Sequence, residues 1–358
     1  MKKVGKSLVA ACSVLLLVLG GLTACSNNPS SDDSASSFLA CAVSGAGGFQ
    51  DKSFNQATLE GLQEAASKFS IEIKTAESQT ESDYTPNLEA MVSAGCNVIF
   101  PAGYNLVEAT NLIAREKPDS HYAMIDDDSI DLPNVKPVIF DTAQASFLAG
   151  YVAAGYSKTH IIGTIGGDPQ AAVQLFMDGY QQGAIQYDKD NGTETKVVGW
   201  DTAKPDGGQF IGSYTDQTKC RTIAEAQIAQ GADVIMPVAA AAGLGAAAAA
   251  KSAGDVSVVW VDADGALAEE GYADIFLTSV MKNIQTAVVE TVDSMLTEET
   301  FSNKAFIGTL ENGGVGIAPY HSFESKLSDD LKSKVETIKA DIIAGTLVIE
   351  SQFAPNTL

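Results

Sequence analysis

The strongest constraint in this chain is an alternation that runs through it twice: a short apolar run, a glycine-rich break, then an amphipathic stretch. Residues 38–44 (FLACAVS) have no polar face and end in Gly45-Ala46-Gly47-Gly48. Such a run reads as a strand buried on both sides. The following stretch, about 55–69, sets Leu59, Leu62, Ala65, Ala66 and Phe69 on one helical face. A second strand is expected at 71–74, with Asp83 as an N-cap candidate for a helix through 94. Further apolar runs fall at 97–100, 122–125 and 136–139. The pattern then restarts. Residues 161–165 run into Gly166-Gly167, a helix reaches about 187, and 195–200 are extended. A helix over about 219–229 precedes strands at 233–237 and 256–261. The alanine-rich segment 239–250, broken by Gly243, Leu244 and Gly245, predicts a helix from about 245, because Ala is the best helix former. Strands alternating with helices imply parallel sheets covered on both faces. The expected fold class is therefore α/β, with two doubly wound lobes and a ligand site beyond the carboxyl ends of the strands, where the lobes face each other.

The amino terminus is a separate object. Lys2, Lys3 and Lys6 precede an uncharged, mostly apolar run over 8–21, followed by Leu22-Thr23-Ala24-Cys25. A basic start, an apolar middle and small residues at the end read as a secretory signal. The run is shorter than the roughly 20 apolar residues of a membrane span. Its ending resembles a bacterial lipoprotein signal, which implies removal of 1–24 and acylation of Cys25. Residues 26–37 (SNNPSSDDSASS) contain nothing large enough to pack and read as a polar tether. The expected location is the outer face of the cell membrane, held by a lipid anchor. Losing the three leader lysines takes the formal charge from −23 to −26. A surface so acidic repels polyanions, so nucleic acid is excluded as a partner.

Enzyme machinery is not expected. The chain has no Gly-x-Ser-x-Gly nucleophile turn, and no phosphate-binding glycine loop follows a strand. His121, His160 and His321 are far apart, and the acidic runs Asp126-Asp127-Asp128 and Asp262-Ala263-Asp264-Gly265 lack the ligand spacing of a calcium loop. No metal or other cofactor is implied. Cys41, Cys96 and Cys220 allow at most one disulfide, and buried free thiols are the expectation.

The informative residues stand where strands end. After the first strand comes Gly47-Gly48-Phe49-Gln50-Asp51-Lys52-Ser53-Phe54-Asn55-Gln56; Asp126, Asp262 and Lys282 follow or close later ones. Taken alone, Asp126 and Asp262 are also readable as loop or cap residues, Asn55 as a helix cap, Phe54 as a core residue, and Lys282 as the partner of a carboxylate. The run from Gly47 to Gln56, with Glu60-Gly61, resembles the signature of the basic membrane protein family, the purine nucleoside receptor type of bacterial lipoprotein. Ser146-Phe147-Leu148-Ala149-Gly150-Tyr151, Gln230-Gly231-Ala232-Asp233-Val234-Ile235 and Thr278-Ser279-Val280-Met281-Lys282-Asn283 extend the resemblance over nearly the whole mature chain.

That resemblance implies a type I periplasmic binding protein architecture, with two lobes joined by three crossovers. Lobe 1 is expected to contain 38–143 plus 265–300, and lobe 2 to contain 144–264 plus 301–358. It implies a monomeric substrate-binding component of an ABC transporter that delivers a purine nucleoside to a permease. Phe54 is expected to stack on the base, Asn55 and Asp126 to hydrogen-bond it, and Asp262 and Lys282 to hold ribose hydroxyls. Phe176 or Phe210, with Phe210 favoured on spacing, is expected to close the sandwich, and Gly243 to let backbone approach the sugar. Family members often carry an Asp nine residues before the stacking Phe. Gly45 stands there in this chain, leaving a sugar contact missing or supplied by Ser44 or water. Two carboxylates against one lysine favour a nucleoside over its monophosphate. The alternatives are another small polar solute or sugar, a signalling receptor, and, less expected, a nucleoside-processing enzyme.

Overall fold

The computed structural model describes residues 38–51 and 53–355. The leader, Cys25 and the tether lie outside the described residues. In chain order the elements are β1 (Leu39–Val43), α1 (Phe54–Phe69), β2 (Glu72–Ala76), α2 (Tyr84–Ser93), β3 (Val98–Pro101), α3 (Val107–Glu116), β4 (Tyr122–Ile125) and β5 (Val135–Phe140). Then come α4 (Thr142–Tyr156), β6 (Ile161–Gly166), α5 (Ala171–Asn191), β7 (Lys196–Val198), α6 (Gln217–Ala229), β8 (Val234–Val238), α7 (Leu244–Ala253) and β9 (Ser257–Asp262). The rest is α8 (Gly265–Ala268), β10 (Phe276–Lys282), α9 (Ile284–Thr297), β11 (Phe306–Gly308), β12 (Val315–Ile317) and α10 (Asp329–Ile343).

Two six-stranded sheets result, ordered β11-β5-β4-β3-β1-β2 and β12-β10-β9-β8-β6-β7. All pairings are parallel except β10 with β12. The inner strands β3, β4 and β8 are buried along their whole length and β1 along all but its first residue, as parallel strands under helices on both faces must be. The two sheets repeat one topology, with β4 matching β9 and β5 matching β10.

The chain passes between lobes three times, after β5, after β10 and between β11 and β12. Sheet membership differs from the division expected above. Residues 276–282 (β10) belong to the second sheet and 306–308 (β11) to the first. The pairing partners decide this: β10 lies on β9, and β11 lies on β5. The backbone N–H of Asp141 donates to Gly308 O at 2.8 Å, and that of Asn283 to Gly314 O at 2.9 Å. The crossovers are therefore tied side by side.

In lobe 2, α4 is apolar on nearly every side and buried for most of its length, so it needs neighbours all round. Its contact with α5 is backbone to backbone. A Cβ at Gly150 would fall 2.0 Å from Tyr180 O, and one at Gly183 2.0 Å from Phe147 O. The alanine-rich segment becomes α7, packed equally tightly on α6, where a Cβ at Gly245 would fall 1.9 Å from Gln217 O.

The expectation of free thiols fails for two of the three cysteines. Cys41 on β1 and Cys96 ahead of β3 form a disulfide, their Cα atoms 6.0 Å apart. Adjacent parallel strands bring together residues 55 apart in sequence. Cys220 is free and buried, and burial pushes its thiol up to about 12.

Candidate ligand-binding cleft

The carboxyl ends of both sheets open onto one cleft of about 380 Å³, inside the range of roughly 300–1,000 Å³ typical of small-molecule sites. From lobe 1 it receives the loop after β1, the start of α1 with Phe54 and Asn55, Gly103 after β3, and Asp126 after β4. From lobe 2 it receives Asp168 after β6, Phe176 on α5, Tyr214, Ala239 to Ala241 after β8, Asp262 at the end of β9, and Lys282 at the end of β10.

Lys282 sits at the centre. Its Nζ donates to both oxygens of Asp126, at 2.8 and 3.0 Å, across the two lobes. Asp262 Oδ1 lies 3.9 Å from the same nitrogen. Side-chain exposure is 3% for Lys282, 16% for Asp126 and 11% for Asp262, so this is an ion pair largely removed from water. Asp262 Oδ2 accepts a hydrogen bond from Ser53 Oγ of lobe 1 at 3.2 Å. Burial pushes the Asp262 carboxyl above the ordinary range; Lys282 opposes that, and Asp126 and Asp51 add to it. Both aspartates occupy the left-handed region, at φ 70° and 68°, at matching positions of the two lobes. Asp is among the non-glycine residues that accept that conformation, and it turns each carboxylate off its strand end.

The ammonium also faces rings. It lies 5.4 Å from the centre of Phe54, 5.1 Å from Phe176 and 5.7 Å from Phe140, within cation–π range. Taken end to end, the first two distances put the Phe54 and Phe176 centres no more than about 10.5 Å apart. A flat base touching rings on both faces needs roughly 7–8 Å, twice the carbon contact distance.

Asp51 holds the start of α1. Its carboxylate accepts from the backbone N–H of Ser53, Asn55 and Gln56 at 3.1, 2.9 and 3.0 Å, and from Asn55 Nδ2 at 2.7 Å. Asn55 Oδ1 in turn accepts the Gly45 N–H at 2.8 Å. A carboxylate accepts only and a backbone N–H donates only, so the orientation of the Asn55 amide is fixed. One N–H of Nδ2 is left for a ligand. Ser44 does not replace the missing side chain at Gly45: it is fully buried, its hydroxyl donates to Gly45 O, and it accepts from Ser78 N–H.

Of the residues singled out by sequence, Phe54, Asn55, Asp126, Phe176, Asp262 and Lys282 meet at the cleft. Phe210 and Gly243 do not line it. Phe210 packs edge-on against Trp200, its centre 6.2 Å away, and fills the space over Gly166. Gly243 faces the Trp260 ring, where a Cβ would lie 3.1 Å away; its role is packing. Sequence reasoning missed Tyr214, which lies over Gly167 and enters the cleft from lobe 2. Burial pushes its phenol well above the ordinary value, so it stays a neutral donor. Asp51 was also missed, although an Asp two residues before a Ser-Phe-Asn helix start is a capping signal.

A ligand-sized cleft between two α/β lobes, with aromatic and charged side chains converging from both and three strands of chain behind it, defines a solute-binding protein. The fold matches the solute-binding protein of an ABC transporter system from Aeropyrum pernix K1, with a TM-score of 0.75 and 21% identity over 87% of this chain and 94% of that one. The model of the PnrA-like ABC transporter substrate-binding proteins matches residues 38–352, and the chain belongs to that family. It is 28% identical to the ABC transporter nucleoside-binding protein BmpA of Lactococcus lactis subsp. cremoris over 97% of this chain and 99% of that one. It is 30% identical to basic membrane protein A of Borreliella burgdorferi over 85% of this chain and 86% of that one. Its role is accordingly substrate binding. Among the described residues, no helix is long and apolar enough to cross a membrane, and no group of three or more His, Cys, Asp or Glu side chains is placed to hold a metal ion.

Proposed function

We propose that this chain binds a nucleoside, with a purine base, between its lobes and hands it to an ABC permease outside the cytoplasm. The observation that carries this reading is the convergence at one cleft of Phe54 and Asn55 from lobe 1 with Phe176, Tyr214, Asp262 and Lys282 from lobe 2. Rings from opposite lobes suit the two faces of a base; the free Nδ2 hydrogen of Asn55 and the Asp126 carboxylate suit a base edge that carries both an acceptor and a donor. Asp262 and Lys282 suit the sugar hydroxyls. The nucleoside-binding relative in Lactococcus supports the same assignment. In this reading Cys25 carries a lipid anchor, the protein acts as a monomer, and it performs no reaction on its ligand.

Binding closes the cleft by bending at the crossovers, and the closed form is what the permease meets. Titration calorimetry with adenosine, guanosine, inosine, their free bases, ribose and adenosine monophosphate tests the assignment. Nucleosides are expected to bind tightest and the monophosphate poorly. Ribose binding as well as adenosine would remove the nucleoside from the proposal. Mass spectrometry of ligand released from the purified protein identifies the natural base directly.

A further inference from the structure

The charges on the cleft floor do not balance. Lys282 is the only basic residue among the described residues that line the cleft, and its ammonium is committed to Asp126 at 2.8 and 3.0 Å. Asp262 is left beyond hydrogen-bond reach of it, at 3.9 Å. One hydrogen bond, from the neutral Ser53 hydroxyl, reaches its carboxylate. Asp51, the other carboxylate nearby, is already covered by four N–H donors. Two carboxylates, each more than four-fifths buried, therefore share one ammonium, and Asp262 has the weaker hold on it. Holding a second carboxylate out of water on a shared ammonium is unfavourable.

The neutral hydroxyls of a sugar relieve that deficit only in part. A cationic donor removes it, because it brings a full opposite charge to the carboxylate along with its hydrogen bond. A metal ion is a poor candidate for the missing charge: the space between Asp126 and Asp262 already holds the Lys282 ammonium. Because that ammonium is itself covered by Asp126, it does not repel a second cation strongly. We infer that the ligands this cleft holds most tightly are nucleosides bearing a protonated amine on the sugar, with Asp262 as counter-ion. This inference rests on the nucleoside reading above and on Asp262 facing the sugar. It goes further in ranking the ligands by charge: aminonucleoside, then nucleoside, then nucleotide.

The test is calorimetry of the full chain with adenosine, 3′-amino-3′-deoxyadenosine, 2′-amino-2′-deoxyadenosine and 3′-deoxyadenosine, at a pH that keeps the amines protonated. At low ionic strength at least one amine is expected to bind about tenfold more tightly than adenosine, and 3′-deoxyadenosine more weakly than its amine counterpart. Asp262→Asn keeps the shape and removes the charge, and is expected to bring the ratio of amine to adenosine close to one. Raising the salt on the unaltered protein should shrink the same ratio, a readout that does not depend on the variant folding. Adenosine binding with neither amine preferred overturns the inference and leaves the nucleoside reading standing. An amine preference that survives in folded Asp262→Asn also overturns it, by placing the cation elsewhere. If neither adenosine nor either amine binds, the nucleoside reading falls and this inference falls with it.

Discussion

Replacing Lys282 by Met tests how the two lobes are held together. Met fills nearly the same length, can still pack against the rings of Phe54, Phe140 and Phe176, and removes the charge together with its two hydrogen bonds to Asp126. What remains is Asp126 at 16% and Asp262 at 11% side-chain exposure, facing one another with no cation between them. Breaking a buried pair by removing one partner costs about 3–5 kcal/mol, because the other charge is left stranded. The exposed pair Arg221–Glu225, at 2.8 Å but 48% and 54% exposed, is the internal control. Its removal is expected to cost no more than about 0.5 kcal/mol, since water screens it. Urea unfolding of the ligand-free protein at neutral pH, compared at constant slope, measures both. The deficit of Lys282→Met also has a predicted pH dependence. Burial already holds the Asp262 carboxyl above its ordinary value of 3.8, and losing the lysine that opposes this raises it further, so the folded state binds more protons than the unfolded one. The deficit is then full above that raised value and fades as pH falls through it. Adding Asp126→Asn should recover part of the loss. A loss as small as that of Arg221–Glu225, or one that does not shrink in acid, would refute the argument that this pair is buried and spans the lobes.

Four further outcomes follow from other parts of the molecule. Replacing Cys41 and Cys96 together by Ser opens a loop of 55 residues and is expected to cost about 4 kcal/mol in urea unfolding, with no further effect of reductant on the variant. Gly150→Ala puts a methyl 2.0 Å from Tyr180 O, on backbone that has nowhere to move; a loss of about 3 kcal/mol is expected, at the upper end for overpacking. Tyr214→Ala should weaken adenosine binding by about tenfold in calorimetry, as loss of a stacking ring does. Phe210→Leu, behind the cleft wall against Trp200, should lower stability while leaving the affinity within about threefold, the scatter expected for a side chain that does not touch ligand.

Strand ends were the legible part of this sequence. Phe54, Asn55, Asp126, Asp262 and Lys282 all follow directly on apolar runs or helix starts, so local pattern was enough to put them at one end of a sheet. What local pattern does not carry is pairing. Strands β10 and β11 fall in other lobes than expected because hydrogen bonds to β9 and β5 decide their membership; β5 lies far from β11 in sequence, and no local pattern says that the chain changes lobe after β10 and not after β9. The disulfide was missed for the same reason: Cys41 reads as one more small apolar residue of a buried strand until β3 is known to lie beside β1. The preference for Phe210 over Phe176 fails, and Tyr214 is overlooked, because Phe210 and Tyr214 both lie in the irregular segment between β7 and α6. No period there tells which ring turns inward, and the space over Gly167, which admits Tyr214, is visible only in three dimensions.

The cleft itself is best understood as a symmetry and its breakage. Each lobe ends its fourth strand in sequence (β4 and β9) with a left-handed Asp, and each hands the chain across after the fifth (β5 and β10), at Asp141 and Asn283. Two copies of one lobe face to face therefore bring two carboxylates toward a shared centre, which by itself is repulsive. The position just before the crossover relieves this, and there the copies differ: Phe140 ends β5, and Lys282 ends β10. One copy supplies a ring, the other an ammonium that lies over that ring and binds Asp126 of the opposite lobe. Had both been lysine, the floor would balance and offer a ligand no charge. Had both been phenylalanine, two aspartates would confront each other unpaired. With one of each, Asp126 and Asp262 share a single ammonium that faces three aromatic rings and ends the strand before a crossover. In the function proposed above, ligand selection and lobe closure depend on the same few atoms, which is why a change at Lys282 is expected to disturb both.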